Sequence, residues 1–195
     1  MRQSFARGVA GIFAVFLTTA CGGGSSSQRV PESEILRIGF LMDTLSHERW
    51  QRDRELFVAR AKERGAEVIV EAAEGDADRQ LAQAKSMLEK GVKALVVVAH
   101  DARRAFDIVE AAKARNVPVI CYDRLIPEAD IDLYVSFDNA RVGELQAQYL
   151  FSRAPRGNYV LIGGAPTDAN AQQLREGQMK VLKPAIDRKE IRVVS

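Results

Sequence analysis

The strongest constraint on the fold is an alternation, from residue 36 onward, of short apolar runs with charged stretches of helical periodicity. The apolar runs include LRIGFLM, KALVVVA and VPVICYD, in which Val, Ile and Leu occupy neighbouring positions. Such runs are typical of parallel strands that are buried on both faces of a sheet. Between two of them, apolar residues repeat at helical spacing, at Ala77, Leu81, Ala84 and Leu88. The chain is therefore predicted to be an α/β protein whose helices cover a parallel sheet.

The same pattern gives the expected bounds of the secondary-structure elements. Strands are predicted at residues 36–42, 66–72, 93–99, 117–123, 133–137, 159–164 and 191–194. Helices are predicted at residues 47–64, within 76–91 and 101–116, from 140 to 153, and from 169 onward. This order places a helix after most of the strands, as parallel connections require.

The N-terminus predicts export across a membrane. Arg2 and Arg7 give the first residues a positive charge. The next 13 residues, from Gly8 to Ala20, are mostly apolar. That segment is too short to span a bilayer and has the length of a secretory signal. Cys21 follows small residues in LTTAC, as in a lipoprotein signal, although the leucine stands four residues before the cysteine instead of three.

We therefore expect residues 1–20 to be a lipoprotein-type signal peptide and residues 21–35 to be a lipidated Cys21 with a flexible linker. The linker expectation rests on GGGSSSQ, a composition that forms no packed core. More than one acyl chain on Cys21 would hold the protein stably at a membrane surface. The alternative is an ordinary signal peptide in which the cysteine is incidental.

Charge and cysteine count limit the possible partners. Removal of residues 1–20 reduces Lys and Arg from 28 to 26, which equals the 26 Asp and Glu. A neutral chain lacks the basic surplus that phosphate contacts need, so no nucleic-acid partner is expected. With Cys21 acylated, Cys121 would have no disulfide partner, and its apolar context predicts a small buried residue.

Polar residues cluster after the predicted strands, where the ligands of open parallel sheets bind. These positions are Asp43, 46–50, 74–76, His100 and Asp101, Asp123 and Arg124, Asp138 and Asn139, and 166–170. Carboxylates accept hydrogen bonds and guanidinium groups donate them, whereas sugar hydroxyls do both. The set therefore favours a polyol ligand, with Asp123 and Arg124 as a matched pair at one strand end.

Several enzyme classes lack their motifs in this sequence. No GxGxxG follows the first strand, and neither a P-loop nor a GxSxG nucleophile elbow occurs. His47 and His100 have no further His or Cys at metal-ligand spacing, so neither a metal nor a cofactor is expected. A small α/β enzyme that uses His100 with Asp101 as a base remains an alternative. A transcriptional regulator would need a DNA-binding unit where the signal segment stands.

Arg49 and Trp50 lie where the first strand hands over to a helix. An indole ring at that point would offer a flat surface for the C–H face of a pyranose, with Arg49 beside it. The alternative is that Trp50 is the first core residue of the helix, because Phe57 and Ala61 follow it at helical spacing. Asp123 and Arg124 could likewise form an exposed turn pair, and Asp168 could be only a helix N-cap.

Three long segments carry a resemblance to a known family. They are IGFLMDTLSHERWQRDRELFVARAKERGAEV, CYDRLIPEADIDLYVSFDNARVGELQAQ and GGAPTDANAQQLREGQMKVLKP. From Ile38 to the end the chain resembles the type I periplasmic sugar-binding proteins of ABC importers, and among them the D-xylose receptors. The resemblance implies two doubly wound α/β lobes, here residues 36–137 and the start of a second lobe at 138–195. It also implies a crossover between them near Ser136 to Asn139.

The resemblance further implies a sugar between the lobes and no enzymatic activity. The contact residues that it implies are Arg49, Trp50, Asp123, Arg124, Asp168 and Asn170. It implies D-xylose as the ligand, with glucose or ribose as alternatives, and ABC permease subunits as partners. It also implies a monomer in the periplasm or cell envelope, and we expect anchoring only through the lipid on Cys21. Members of the family are longer, so we expect a truncated second lobe, and a non-functional fragment is the remaining alternative.

Overall fold

A computed structural model describes residues 35–194 of the chain. The predicted signal peptide, Cys21 and nearly all of the predicted linker lie outside these residues. Among residues 35–194, no helix is both long enough and apolar enough to cross a membrane.

The described part of the chain contains seven strands and five helices, which alternate except that β5 follows β4 directly. The strands are β1 (Leu36–Met42), β2 (Ala66–Ala72), β3 (Ala94–Val97), β4 (Val119–Tyr122), β5 (Leu133–Val135), β6 (Gly157–Val160) and β7 (Ile191–Val194). The helices are α1 (Glu48–Glu63), α2 (Ala77–Glu89), α3 (Phe106–Lys113), α4 (Asn139–Arg153) and α5 (Ala169–Asp187). The predicted α/β class is confirmed.

Five strands form one parallel sheet in the order β2-β1-β3-β4-β5. The order reverses direction at β1, so α1 lies on one face of the sheet and α2 and α3 lie on the other. This arrangement is the doubly wound one, in which ligand sites lie beyond the carboxyl ends of the strands near the reversal.

Alternate residues of β1 supply the cores on the two faces of this sheet. Leu41 is fully buried against Met87 of α2 and Ile108 of α3. Phe40 is fully buried on the other face, where its ring lies 4.7 Å from the ring of Phe57 of α1. Because side chains of a strand point alternately to the two faces, one continuous apolar run fills both layers.

The second sheet pairs β6 with β7 in parallel and is covered by α4 and α5. Tyr159, Leu182 and Ile191 are among the buried residues of this separate core. The two helices cross at Gly143 and Gly177. A Cβ atom at Gly177 would lie 1.9 Å from the carbonyl oxygen of Ala140, so only glycine permits this approach.

The predicted bounds agree with the structure at β1 and β2 and differ most at β6. The sequence predicts a strand at 159–164, whereas the structure has Gly157–Val160. In the structure β6 pairs with β7 from Gly157 to Val160, and residues 161–164 lie in the segment that leads to α5. The proposed lobe boundary after residue 137 falls in the loop between β5 and α4, and it stays a prediction.

Candidate functional site

The carboxyl ends of β1, β3 and β4 bring four polar side chains to one edge of the first sheet. Asp43 follows β1, His100 lies three residues beyond β3, and Asp123 and Arg124 follow β4. Asp43 and Asp123 are both more than nine-tenths buried. This edge is where the reversal of strand order places a ligand site.

The backbone of Asp123 is held in a left-handed conformation with φ of 65°. Its N–H donates to the carbonyl of Val135 at 2.8 Å, and its carbonyl accepts from the hydroxyl of Ser136 at 2.7 Å. The phenol of Tyr134 donates to the same carbonyl at 3.2 Å. Aspartate tolerates this conformation better than most residues, and these bonds fix the direction of its carboxylate.

The carboxylate of Asp123 is shared by groups from distant parts of the chain. Its Oδ1 atom accepts from Arg49 of α1 at 2.6 Å. Its Oδ2 atom accepts from the side-chain amide of Asn170 at 3.2 Å. Asp123 therefore connects the first sheet to the N-terminus of α5, which covers the second sheet.

Arg49 is surrounded by acceptors. Besides Asp123, the carboxylate of Asp53 lies 3.5 Å from its Nε atom. Partial burial would lower the pKa of Arg49, but the hydrogen bond to Asp123 and the two carboxylate charges outweigh it and raise that pKa. Tyr122 donates to Asp53 at 3.0 Å, and burial, followed by this hydrogen bond, raises the pKa of its phenol. The guanidinium therefore stays charged and oriented towards the strand ends.

Trp50 packs in the core between the first sheet and α1. Only 5 % of the residue is exposed, and its neighbours in this core include Phe40 and Met42. The Cζ atom of Arg49 lies 4.4 Å from the ring centroid, within the range of a cation–π contact. The structure thus gives Trp50 the packing of a core residue, and its predicted role as a platform for a sugar stays a prediction.

Arg124 is clamped between the strand ends and α5. Its Nη1 atom donates to Asp43 at 2.8 Å and to the carbonyl of Ala99 at 3.0 Å. Its Nε atom lies 3.7 Å from the carboxylate of Asp168. Only 18 % of the Arg124 side chain is exposed, so it is not the solvated turn residue of the alternative hypothesis.

Asp168 and Asn170 start helix α5 beside this cluster. Asp168 is the N-cap, and its Oδ1 atom accepts from the backbone N–H of Asn170 at 2.9 Å. Its other oxygen faces Arg124, so the capping role and the site role occur in the same side chain. The amide of Asn139 donates to the Asn170 side chain at 3.1 Å and orients it towards Asp123.

Two open cavities border these residues. One of about 180 Å³ is lined by Arg49, Tyr122, Asp123, Val135, Ser136 and Phe137. A larger one of about 540 Å³ has Asp168 and Asn170 among its lining residues. Residues of the charged cluster therefore line both cavities.

The structure brings the six predicted site residues to one region, and it separates one predicted pair. The carboxylate of Asp101 accepts from the backbone N–H groups of Arg103 and Arg104 and caps that turn. His100 instead contacts Asp43, with 2.8 Å between Nδ1 and Oδ1. The alternative in which His100 and Asp101 act together as a catalytic base is therefore not supported, because the two side chains have different partners.

Sequence reasoning did not predict which contacts support this cluster. Tyr122 and Asp53 lie 69 positions apart, and no spacing rule connects them. Asn139 was assigned to the crossover, although its amide contacts Asn170. Asp43 carried a usable signal, because it stands directly after the first strand. Within residues 35–194, no group of three or more His, Cys, Asp or Glu side chains could hold a metal ion.

The fold and the strand-end cluster define a class of α/β binding proteins, and the comparisons give the family. Residues 38–195 match the profile of the periplasmic binding protein domain. The chain belongs to this family, as the sequence resemblance predicts. The prediction of a class of binding proteins rather than of enzymes is confirmed by this assignment.

Two curated relatives are periplasmic D-xylose-binding proteins. The one from Escherichia coli K12 is 43% identical over 178 residues, which cover 91% of this chain and 54% of the relative. The one from Haemophilus influenzae is 44% identical over 178 residues, with the same coverage of both chains. The chain thus spans about half the length of these relatives.

Solved structures of sugar-bound proteins share the fold. A carbohydrate transporter solute-binding protein from Chloroflexus aurantiacus, in complex with D-glucose, is 35% identical with a TM-score of 0.75. The match covers 82% of this chain and 48% of that one. An ABC transporter solute-binding protein from Clostridium phytofermentans with bound β-D-glucose is 31% identical, also with a TM-score of 0.75, covering 80% and 51%.

Proposed function

We propose that the chain is the substrate-binding component of an ABC importer and binds one monosaccharide, D-xylose in the first instance. The observation that carries this proposal is the meeting of Arg49, Asp123, Arg124, Asp168 and Asn170 at the strand ends. These groups come from α1, from the end of β4 and from the start of α5. Three separate elements therefore contribute to one cluster.

The chemistry of the cluster matches a polyhydroxylated ring. A hydroxyl can donate to the carboxylate of Asp123 and accept from a guanidinium in the same place. Hydrogen bonds to charged partners are roughly twice as strong as neutral ones. Arg49 and Arg124 supply donors, Asp123 and Asp168 supply acceptors, and Asn170 supplies both.

D-xylose is favoured over other sugars by the two curated relatives that carry that name, at 43% and 44% identity. The two sugar-bound structures described above hold glucose instead. A receptor for glucose or ribose is therefore the second candidate. Both candidates use the same cluster and differ in which hydroxyls it serves.

Trp50 would serve as the apolar surface for the ring of the sugar. Arg49 now lies over the indole ring at 4.4 Å, so stacking requires Arg49 to move away from that face. The guanidinium could then donate to a sugar hydroxyl while keeping its bond to Asp123. In this proposal Arg49 and Trp50 act as one unit.

Transport follows from capture. A sugar held by groups of both sheets would stabilise the arrangement in which they are close, because only that arrangement makes all of the contacts. The liganded receptor would then dock on permease subunits of the importer. We place it in the periplasm or cell envelope as a monomer, attached to the membrane through a lipid on Cys21.

The test is a calorimetric titration of the chain with D-xylose, D-glucose and D-ribose, accompanied by the fluorescence of Trp50, its only tryptophan. We expect D-xylose to bind most tightly. Arg124→Lys should weaken binding at least about 10-fold, because lysine keeps the charge and loses the planar fork. The control is Asp130→Asn, which removes an exposed ion pair with Lys113 and should leave the affinity unchanged.

Each outcome separates the two levels of the proposal. Tighter binding of D-glucose than of D-xylose would keep the sugar receptor and replace its ligand. The absence of a binding heat with every sugar would refute the receptor function for this chain. Equal affinities of the Arg124→Lys and wild-type proteins would refute the location of the site.

A further inference from the structure

We propose that Asp43 is a positioning residue of the sugar site, which holds the guanidinium of Arg124 in place without contacting the sugar. This inference rests on the proposed function and assigns a role to a residue outside the predicted contact set. The three side chains involved are Asp43, Arg124 and His100, from the ends of three neighbouring strands.

Both carboxylate oxygens of Asp43 are occupied by protein groups. Oδ2 accepts from Nη1 of Arg124 at 2.8 Å, and Oδ1 lies 2.8 Å from Nδ1 of His100. The residue is only 8 % exposed. Since a carboxylate only accepts hydrogen bonds, the ring nitrogen of His100 must carry the proton that they share. Asp43 thus faces inward and is bound from both sides.

The backbone beneath this cluster is fixed by Gln80, a residue of α2 that is 1 % exposed. Its amide nitrogen donates to the carbonyl of Val98 at 2.9 Å and lies 3.4 Å from the carbonyl of Met42. Its side-chain oxygen accepts from the backbone N–H of His100 at 3.0 Å. Gln80 therefore holds the residue before Asp43 and the residue that supports Asp43, so the cluster has a rigid base.

The consequence for the site lies in the division of the Arg124 donors. Nη1 is committed to Asp43 and to the carbonyl of Ala99. The Nε atom lies 3.7 Å from the carboxylate of Asp168, where α5 begins. An arginine side chain has many rotamers, and fixing one of them before binding lowers the entropic cost of contacting a ligand. Asp43 performs this preorganisation.

The first experiment compares Asp43→Ala, Asp43→Asn and Arg124→Lys by calorimetry in the full chain. The titrants are D-xylose and its derivatives that each lack one hydroxyl. We expect Asp43→Ala to weaken D-xylose binding about 10-fold and Asp43→Asn to weaken it less, because asparagine keeps one acceptor. The control is again Asp130→Asn, which should have no effect.

The pattern across the derivatives distinguishes positioning from general damage. The derivative that is insensitive to Arg124→Lys lacks the hydroxyl that Arg124 contacts. We expect the affinity for this same derivative, and for no other, to be unchanged by the Asp43 substitutions. Equal weakening of all sugars, or wild-type affinity of Asp43→Ala, would overturn the inference.

A second measurement needs no sugar and therefore separates this inference from the proposed function. In a ¹⁵N-labelled chain, the Nε–H signal of Arg124 is identified by its loss in Arg124→Lys. We expect slow solvent exchange of this signal in the wild type. In Asp43→Ala its exchange should approach that of the exposed Arg52, and in Asp43→Asn it should accelerate to a smaller extent. An unchanged signal in both variants would refute the role of Asp43 even if the chain binds sugar.

Discussion

Gly177→Ala should destabilise the crossing of α4 and α5, although alanine is the better helix former. The added Cβ would lie 1.9 Å from the carbonyl oxygen of Ala140 and 2.9 Å from the backbone nitrogen of Glu144. These are backbone atoms, so no change of rotamer relieves the overlap. The shortest ordinary carbon–oxygen contact is about 3.3 Å, so the helices would have to separate by about 1.4 Å to restore it.

The magnitude follows from two opposing effects. Alanine in a helix interior is favoured over glycine by about 1 kcal/mol. Overpacking in a close contact costs about 1–3 kcal/mol, and occasionally more, and a gap of 1 Å forfeits much of the dispersion energy across the interface. Because the required separation exceeds 1 Å, we expect a net loss of about 2 kcal/mol in the free energy of unfolding.

The assay is urea denaturation followed by circular dichroism at the helical band. Gly163→Ala is the matched control, because a Cβ at Gly163 meets no atom within 4 Å. It should change the free energy of unfolding by less than about 0.5 kcal/mol, as surface substitutions generally do. A Gly177→Ala protein as stable as the wild type would refute the steric argument.

Three further predictions concern the first sheet. Gln80→Leu should cost about 3 kcal/mol by urea denaturation, because it leaves a buried carbonyl and a buried N–H unpaired. Gln83→Leu on the same helix should cost less, because the Oε1 atom of Gln83 has no partner among the described residues, and a comparable loss would contradict this reasoning. The hydrogen bond from Thr44, together with that from the N–H of the next residue, lowers the pKa of Glu74 below its ordinary value of 4.5. The stabilisation by ionised Glu74 is then complete above pH 4.5 and is lost as the pH falls through the lower pKa of the folded state. Glu74→Gln should therefore flatten the dependence of the urea midpoint on acid pH. An identical pH dependence in the variant would contradict this prediction. Burial raises the pKa of the Cys121 thiol, so a thiol reagent should modify Cys121 only after denaturant is added. The modified residue is identified by peptide mass, and rapid modification of the native chain would exclude this burial.

Local patterns were sufficient for most of the fold. The bounds of β1 and β2 follow from apolar runs that end at Asp43 and at the turn around Gly75, where the chain leaves the sheet. The end of β6 could not be predicted in this way, because the apolar run at 159–164 continues beyond the last residue that pairs with β7. The close approach of α4 and α5 at Gly143 and Gly177 was also hidden, since it depends on how two helices pack and not on a local pattern.

For the candidate site, the sequence indicated which residues gather at the strand ends and not how they pair. Asp123 contacts Arg49 across 74 positions, a relation that depends on the packing of α1 against the sheet. Trp50 has the core packing that its helical spacing predicts, and its predicted role as a sugar platform rests only on its position beside Arg49. The left-handed backbone of Asp123, which sets the direction of its carboxylate, has no signature in the sequence.

In the proposed sugar site every carboxylate is already paired with a protein group, so the entry of a sugar would be an exchange reaction. Asp123 already accepts from Arg49 and Asn170, and Asp168 already caps α5 and faces Arg124. A molecule with a hydroxyl at each interrupted contact returns a hydrogen bond for each one that it displaces. A molecule that lacks one of those hydroxyls leaves a charged group unpaired in a partly buried position, at a cost of about 1–3 kcal/mol. The site would thus reject deoxygenated or apolar compounds of the same size by the bonds they fail to restore.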